Sequence, residues 1–135
     1  MKPLIKICGV ADGDNLIKLI NIKKINFLGF IFYKQSPRNA TKDFINSISN
    51  LDFKNKRAVC VYVNADREFI EETSSYFANP ILQFHGDETN AFCKSFKKDF
   101  WKVIRVKDAE SIKLITDYPD ASGILFENYE TGIYG

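Results

Sequence analysis

The chain has 135 residues, 45% hydrophobic and 27% charged, and its 19 Lys and Arg against 17 Asp and Glu leave a net charge of +2. These are the values of a single folded domain, for which about 150 residues is the usual quota, and 12 Phe and 6 Tyr supply material for a core. Disorder is excluded, the balanced charge gives no basis for a nucleic-acid partner, and no apolar run approaches the ~18 residues of a membrane span.

Six short apolar, β-branched or aromatic runs alternate with segments of helical period, their starts roughly 20 to 30 residues apart, the length of a βα unit. Leu4–Val10 comes first, followed by a stripe of Leu16, Ile17, Leu19 and Ile20. The segment MKPLIKICGV that contains it lacks a signal-peptide layout. Ile25–Tyr33 follows, then Thr41 at an N-cap place and a stripe of Phe44, Ile45, Ile48 and Leu51. Arg57–Asn64 leads to Phe69, Ile70, Tyr76 and Phe77, and Pro80–Gly86 to Phe92, Phe96 and Phe100. Trp101–Lys107 leads through a second N-cap candidate, Asp108, to Ile112, Ile115 and Tyr118, and Ala121–Asn128 is the sixth run. Each stripe is one apolar face that a sheet would cover.

Strands alternating with helices predict a parallel α/β sheet. Length favours an open doubly wound sheet, because a β/α barrel normally needs 200 residues or more. The strand faces favour the barrel. Residues i and i+2 share a face. On one parity stand Leu4, Lys6 and Cys8; Ile81, Gln83 and His85; Val103, Arg105 and Lys107; Gly123, Leu125 and Glu127. On the other stand Ile5 and Ile7; Leu82 and Phe84; Ile104 and Val106; Ile124 and Phe126, so one face is expected to be apolar throughout. A sheet with helices on both faces has no reason to gather polar groups on one. A barrel has an interior whose C-terminal mouth holds the active site.

Several residues on the polar parity carry chemistry. Cys8 ends the first strand, and a free Cys is usually an inert buried group, but Lys6 on the same face would make thiolate available. Cys60 and Cys93, in an apolar strand and on a helix, read as structural. The three cysteines form neither a disulfide framework nor a zinc pattern, so a reducing cytosol is expected, and no metal. His85, the sole histidine, lies in QFHGDE, where following Gln83 and preceding a Gly turn give a binding role equal weight with a structural one. Arg38 sits in YKQSPRNA behind Pro37, a stiff loop suited to bidentate capture of a carboxylate or phosphate. Glu127 ends the sixth strand, where a carboxylate is costly unless paired or protonated, while Glu130 reads as loop surface. GxGxxG, Walker and GxSxG motifs are absent.

KICGV, LGFIFYKQSPR, VYVN, LQFHGDE, VIRVK and ILFENYETGIYG follow one another along the whole chain. In these motifs and this order the chain resembles the phosphoribosylanthranilate isomerase family. The resemblance implies a (β/α)8 barrel of tryptophan biosynthesis. The implied reaction is a cofactor-free Amadori rearrangement of N-(5'-phosphoribosyl)anthranilate to 1-(2-carboxyphenylamino)-1-deoxyribulose 5-phosphate. It implies Cys8 as general base, Glu127 as general acid at a position where the family has Asp, and Arg38 as the clamp on the anthranilate carboxylate. Lys6 would hold the thiolate charge, and Gln83 and His85 would line the pocket. Glu has a reference pKa close to that of Asp (~4.3 against ~3.9) but is one methylene longer.

The sequence stops inside what resembles the family's YGG(T/S)G loop, so residues 1–135 are expected to be one partial barrel domain without βα units 7 and 8. Such a piece is expected to bind substrate poorly and to be inactive alone, and fusion to a neighbouring enzyme of the pathway is possible. Three alternatives stay open. One is another sugar-phosphate barrel enzyme of the pathway, such as indole-glycerol-phosphate synthase. Another is a non-catalytic partner subunit pairing through its open edges. The third is an open-sheet ligand binder with helices on both faces.

Overall fold

A computed structural model of the chain describes residues 1–129. The reading of Glu130 as loop surface, and the ETGIYG end of the last motif, lie outside the described residues. The chain runs β1 (Lys6–Cys8), α1 (Gly13–Ile20), β2 (Phe27–Phe32), α2 (Lys42–Ile48), β3 (Arg57–Tyr62), α3 (Arg67–Ser74), β4 (Ile81–Phe84), α4 (Asn90–Lys94), β5 (Phe100–Val106), a 3-10 helix (Ala109–Asp117) and β6 (Gly123–Asn128). The strands form one parallel sheet in chain order, β1 to β6.

Local chemistry starts the helices where expected. Thr41 accepts from Phe44 N at 3.2 Å, and Asp108 accepts from Ser111 N at 3.0 Å, closing a capping box. α1 and α4 begin at further caps, Asp12 and Thr89. The segment after Asp108 differs from its predicted stripe. It winds as a 3-10 helix whose residues are all at least partly exposed, with Ile112 49% exposed. Tighter winding brings i and i+3 into line, so no broad apolar face forms.

One face of the sheet is packed by helices. Leu28, Phe30 and Phe32 of β2, Cys60 and Tyr62 of β3, and Leu82 and Phe84 of β4 are buried there against Leu16, Ile45 and Ile70. Lys102 breaks the expected apolar parity of β5: it is only 3% exposed and holds an ion partner, Glu88. The opposite face carries a separate, smaller cluster of Ile31, Val59, Val61 and Ile81, with Cys8, Phe27 and Trp101 against it.

That second face curls on itself. Phe27 of β2 meets Trp101 of β5 edge to face, with ring centroids 4.9 Å apart. Lys6 Nζ of β1 donates to Gln83 Oε1 of β4 and lies 5.9 Å from the Trp101 ring centre. In a flat sheet three strand spacings are about 14 Å, too far for such contacts between side chains standing upright. The sheet is therefore the wall of a half-barrel, and its concave face is the polar one. Both faces of an open doubly wound sheet would carry helices; here one does.

Candidate active site

The concave face at the C-terminal strand ends gathers two groups of polar side chains. The first surrounds Cys8, which is half-buried. Gly9 turns the chain out of β1 at φ +84°, a left-handed conformation that favours glycine. Gly9 N and Val10 N both donate to Gly29 O at 3.0 Å, tying this turn to β2. Gly29 itself makes room for the thiol: a Cβ there would lie 2.9 Å from Cys8 Sγ and 3.0 Å from Lys6 Cε.

Arg38 reaches the same turn from the loop after β2. That loop is folded by Ser36 N donating to Tyr33 O (2.9 Å) and Asn39 N to Ser36 O (3.1 Å), and Ser36 Oγ accepts from Arg38 N (3.2 Å). The guanidinium lies over Gly9 and donates through Nη1 to Cys8 O at 3.0 Å. A side chain at residue 9 would collide with it, since a Cβ would sit 2.6 Å from Nη1. Arg38 remains exposed, a cation lying over the turn that follows Cys8. Burial lowers the Lys6 ammonium below its ordinary value, and the neighbouring Cys8 opposes that shift by charge and hydrogen bonding. Lys6 is thus bonded to Gln83 and next to Cys8 at once.

The second group centres on Glu127. Its Oε2 lies 2.6 Å from His85 Nε2, and Arg105 Nε stands 4.0 Å from the same oxygen. Arg105 Nη2 also donates to His85 O at 3.1 Å. The strand-end carboxyl group is therefore hydrogen-bonded. Gln83 on β4 and His85 directly after it link the two groups: Cys8, Lys6 and Gln83 on one side, His85 and Glu127 on the other.

Of the residues singled out in the sequence, Lys6, Cys8, Arg38 and Gln83 meet in the first group and His85 and Glu127 in the second. Arg105 belongs with them and had no role assigned, although its inner parity on β5 was the signal. Trp101 was missed as the floor of the concave face; Gly123 of β6 makes room for its indole, where a Cβ would approach to 2.7 Å. Cys60 and Cys93 are fully buried on the helix side, and burial pushes both thiols up to about 12. Among the described residues no group of three or more His, Cys, Asp or Glu is arranged to hold a metal, and no helix is long and apolar enough to cross a membrane.

The family model of N-(5'-phosphoribosyl)anthranilate (PRA) isomerase matches residues 5–133. The chain belongs to the phosphoribosylanthranilate isomerase family. Among curated isomerases of that name, that of Nitrosomonas europaea is 34% identical over 136 aligned positions, covering 100% of this chain and 64% of its own length. That of Pseudomonas fluorescens is 34% identical over 131 positions, covering 96% of this chain and 64% of its own. The chain thus spans a little under two thirds of these isomerases. A solved phosphoribosylanthranilate isomerase from Thermotoga maritima superposes with a TM-score of 0.82 at 24% identity, over 99% of this chain and 66% of that one. Another solved isomerase of the family, in complex with reduced 1-(o-carboxyphenylamino)-1-deoxyribulose 5-phosphate, superposes at 0.81 and 24% identity over 96% of this chain and 66% of its own. The half-barrel is the shared fold.

Proposed function

We propose that the protein carrying this chain isomerises N-(5'-phosphoribosyl)anthranilate to 1-(2-carboxyphenylamino)-1-deoxyribulose 5-phosphate, within tryptophan biosynthesis and in the cytoplasm. The supporting observation is a thiol beside Lys6, with Arg38 bonded to the backbone oxygen of the same cysteine, and a carboxyl group bonded to an imidazole on the same concave face. We read residues 1–135 as one partial barrel domain, with βα units 7 and 8 outside it.

The reaction needs an acid and a base on opposite sides of the sugar. A proton must reach the furanose ring oxygen as its bond to C1' breaks, leaving a Schiff base at C1'. The C2' proton must then be removed to give the enolamine. Glu127 supplies the acid and Cys8 the base, a pair of the kind that contributes ~10²–10⁴-fold each. His85 and Arg105 hold the Glu127 carboxyl group in position. Lys6 sits beside the thiol, and Gln83 fixes Lys6. Arg38, anchored on Cys8 O, keeps further donors for the carboxylate of the aromatic ring, which brings the sugar past Cys8.

Turnover of phosphoribosylanthranilate by the protein, and by its Cys8→Ala and Glu127→Gln variants, tests this. Loss of turnover in both variants, with folding retained, is the expected result. Undiminished turnover in either would remove that residue from its role.

A further inference from the structure

Behind the loop that carries His85, on the helix side of the sheet, lies a buried ion pair with no part in the roles above. Lys102 Nζ is 3.1 Å from Glu88 Oε1, and both side chains are 3% exposed. Glu88 Oε1 also accepts from Gly86 N at 2.9 Å, and Glu88 Oε2 from Asn64 N at 2.8 Å. Lys102 donates in addition to Gly86 O at 2.5 Å, and the Tyr118 hydroxyl donates to Glu88 O at 2.7 Å.

One carboxylate therefore ties three consecutive units: the loop after β3 at Asn64, the loop after β4 at Gly86, and β5 through Lys102. Burying two charges is expensive, and a well-packed apolar pair is often at least as stabilising. What an apolar pair cannot do is accept two backbone N–H groups from different loops. An amide cannot either: Gln at this position has one accepting atom, and its N–H donors would face the other loop's N–H.

Gly86 directly follows His85, whose own N donates to Tyr62 O at 2.9 Å and whose ring meets Glu127 on the concave face. We propose that Glu88 and Lys102 are positioning residues for the active site. They hold the β4 loop so that His85 stands against Glu127. The kinetic part of this proposal rests on the isomerase reading; the positional part does not.

His85 is the one histidine of residues 1–135, and the loss of its imidazole 15N signals in a His85→Gln variant assigns them in the labelled protein, so they report one site. Glu127→Gln marks the signal of His85 without its carboxylate. Glu88→Gln is expected to move the His85 signals towards that reference. The double variant Glu88→Gln/Glu127→Gln should add little further change, the non-additivity of residues acting through one contact. His85 signals unmoved in folded Glu88→Gln would overturn the proposal. Should that variant not fold, hydrogen exchange of the wild-type chain decides. Asn64 and Gly86 amides protected well above neighbouring loop amides support the brace, and exchange at the rate of open loops overturns it. In an active isomerase, Glu88→Gln should lower kcat about tenfold or more while KM shifts less than about twofold, since even ~1 Å of misplacement can cost ~100-fold. An unchanged kcat beside moved His85 signals would overturn the kinetic part. A protein that never isomerises phosphoribosylanthranilate, yet shows the signal change, would remove the isomerase reading and leave the brace.

Discussion

Replacing Gly29 by Ala isolates the space that β2 leaves for Cys8. The added Cβ would meet Cys8 Sγ at 2.9 Å, Lys6 Cε at 3.0 Å and Cys8 Cα at 3.1 Å. Ordinary contact begins near 3.4 Å, so the sulfur must retreat by about 0.5 Å, and the backbone of β1 cannot yield while Gly9 N and Val10 N hold Gly29 O. Two effects oppose each other in stability. Ala in a strand gains ~0.5–1 kcal/mol over Gly through lower chain entropy. Overpacking costs ~1–3 kcal/mol. The net expectation is a loss of about 1 kcal/mol, read from urea melts, together with a changed alkylation rate of the Cys8 thiol. Gly13→Ala is the control, because a Cβ there meets nothing within 4 Å. If Gly29→Ala leaves both stability and Cys8 alkylation at wild-type values, the packing of Cys8 against β2 is wrong.

Other outcomes follow from the same geometry. Among the cysteines of residues 1–135 a disulfide reagent should find one fast thiol, Cys8. Cys60 and Cys93, fully buried and at about 12, are ionised only about one part in 10⁴ at pH 8, and denaturant should release both. Lys6, whose folded pKa is depressed by burial, gives up its proton earlier in the folded chain than in the unfolded one. The unfolded chain then holds more protons just below 10.5, so this group makes stability rise with pH in that window; Lys6→Met should flatten the rise in melts taken there. Arg38→Lys should raise KM for phosphoribosylanthranilate about 10- to 100-fold, the scale of a lost charge-assisted hydrogen bond, with a smaller effect on kcat.

Much of this architecture was legible because a strand reads with period two. The parity of Lys6 and Cys8, Gln83 and His85, and Glu127 marks the concave face, and that parity outweighs the length. Contacts across the curled sheet were not legible. Lys6 reaches Gln83 over β2 and β3, and His85 reaches Glu127 over β5; sequence gives each strand's faces but not the curvature that brings distant strands together. Lys102 is hidden in the sequence because its neighbours Ile104 and Val106 are apolar, and its partner Glu88 lies in another loop, where it also accepts from Asn64 N. The 3-10 winding of Ala109–Asp117 escaped for a simpler reason: three apolar residues at helical spacing do not distinguish the two windings.

The central claim is that Cys8 and Glu127 serve one isomerisation. Its most direct test is turnover of N-(5'-phosphoribosyl)anthranilate by the protein expressed from its whole reading frame, beside Glu127→Gln. Conversion by the native protein, with kcat at least ~100-fold lower in folded Glu127→Gln, is the expected result. Absence of conversion by the native protein, or conversion unaffected by the substitution, would contradict it.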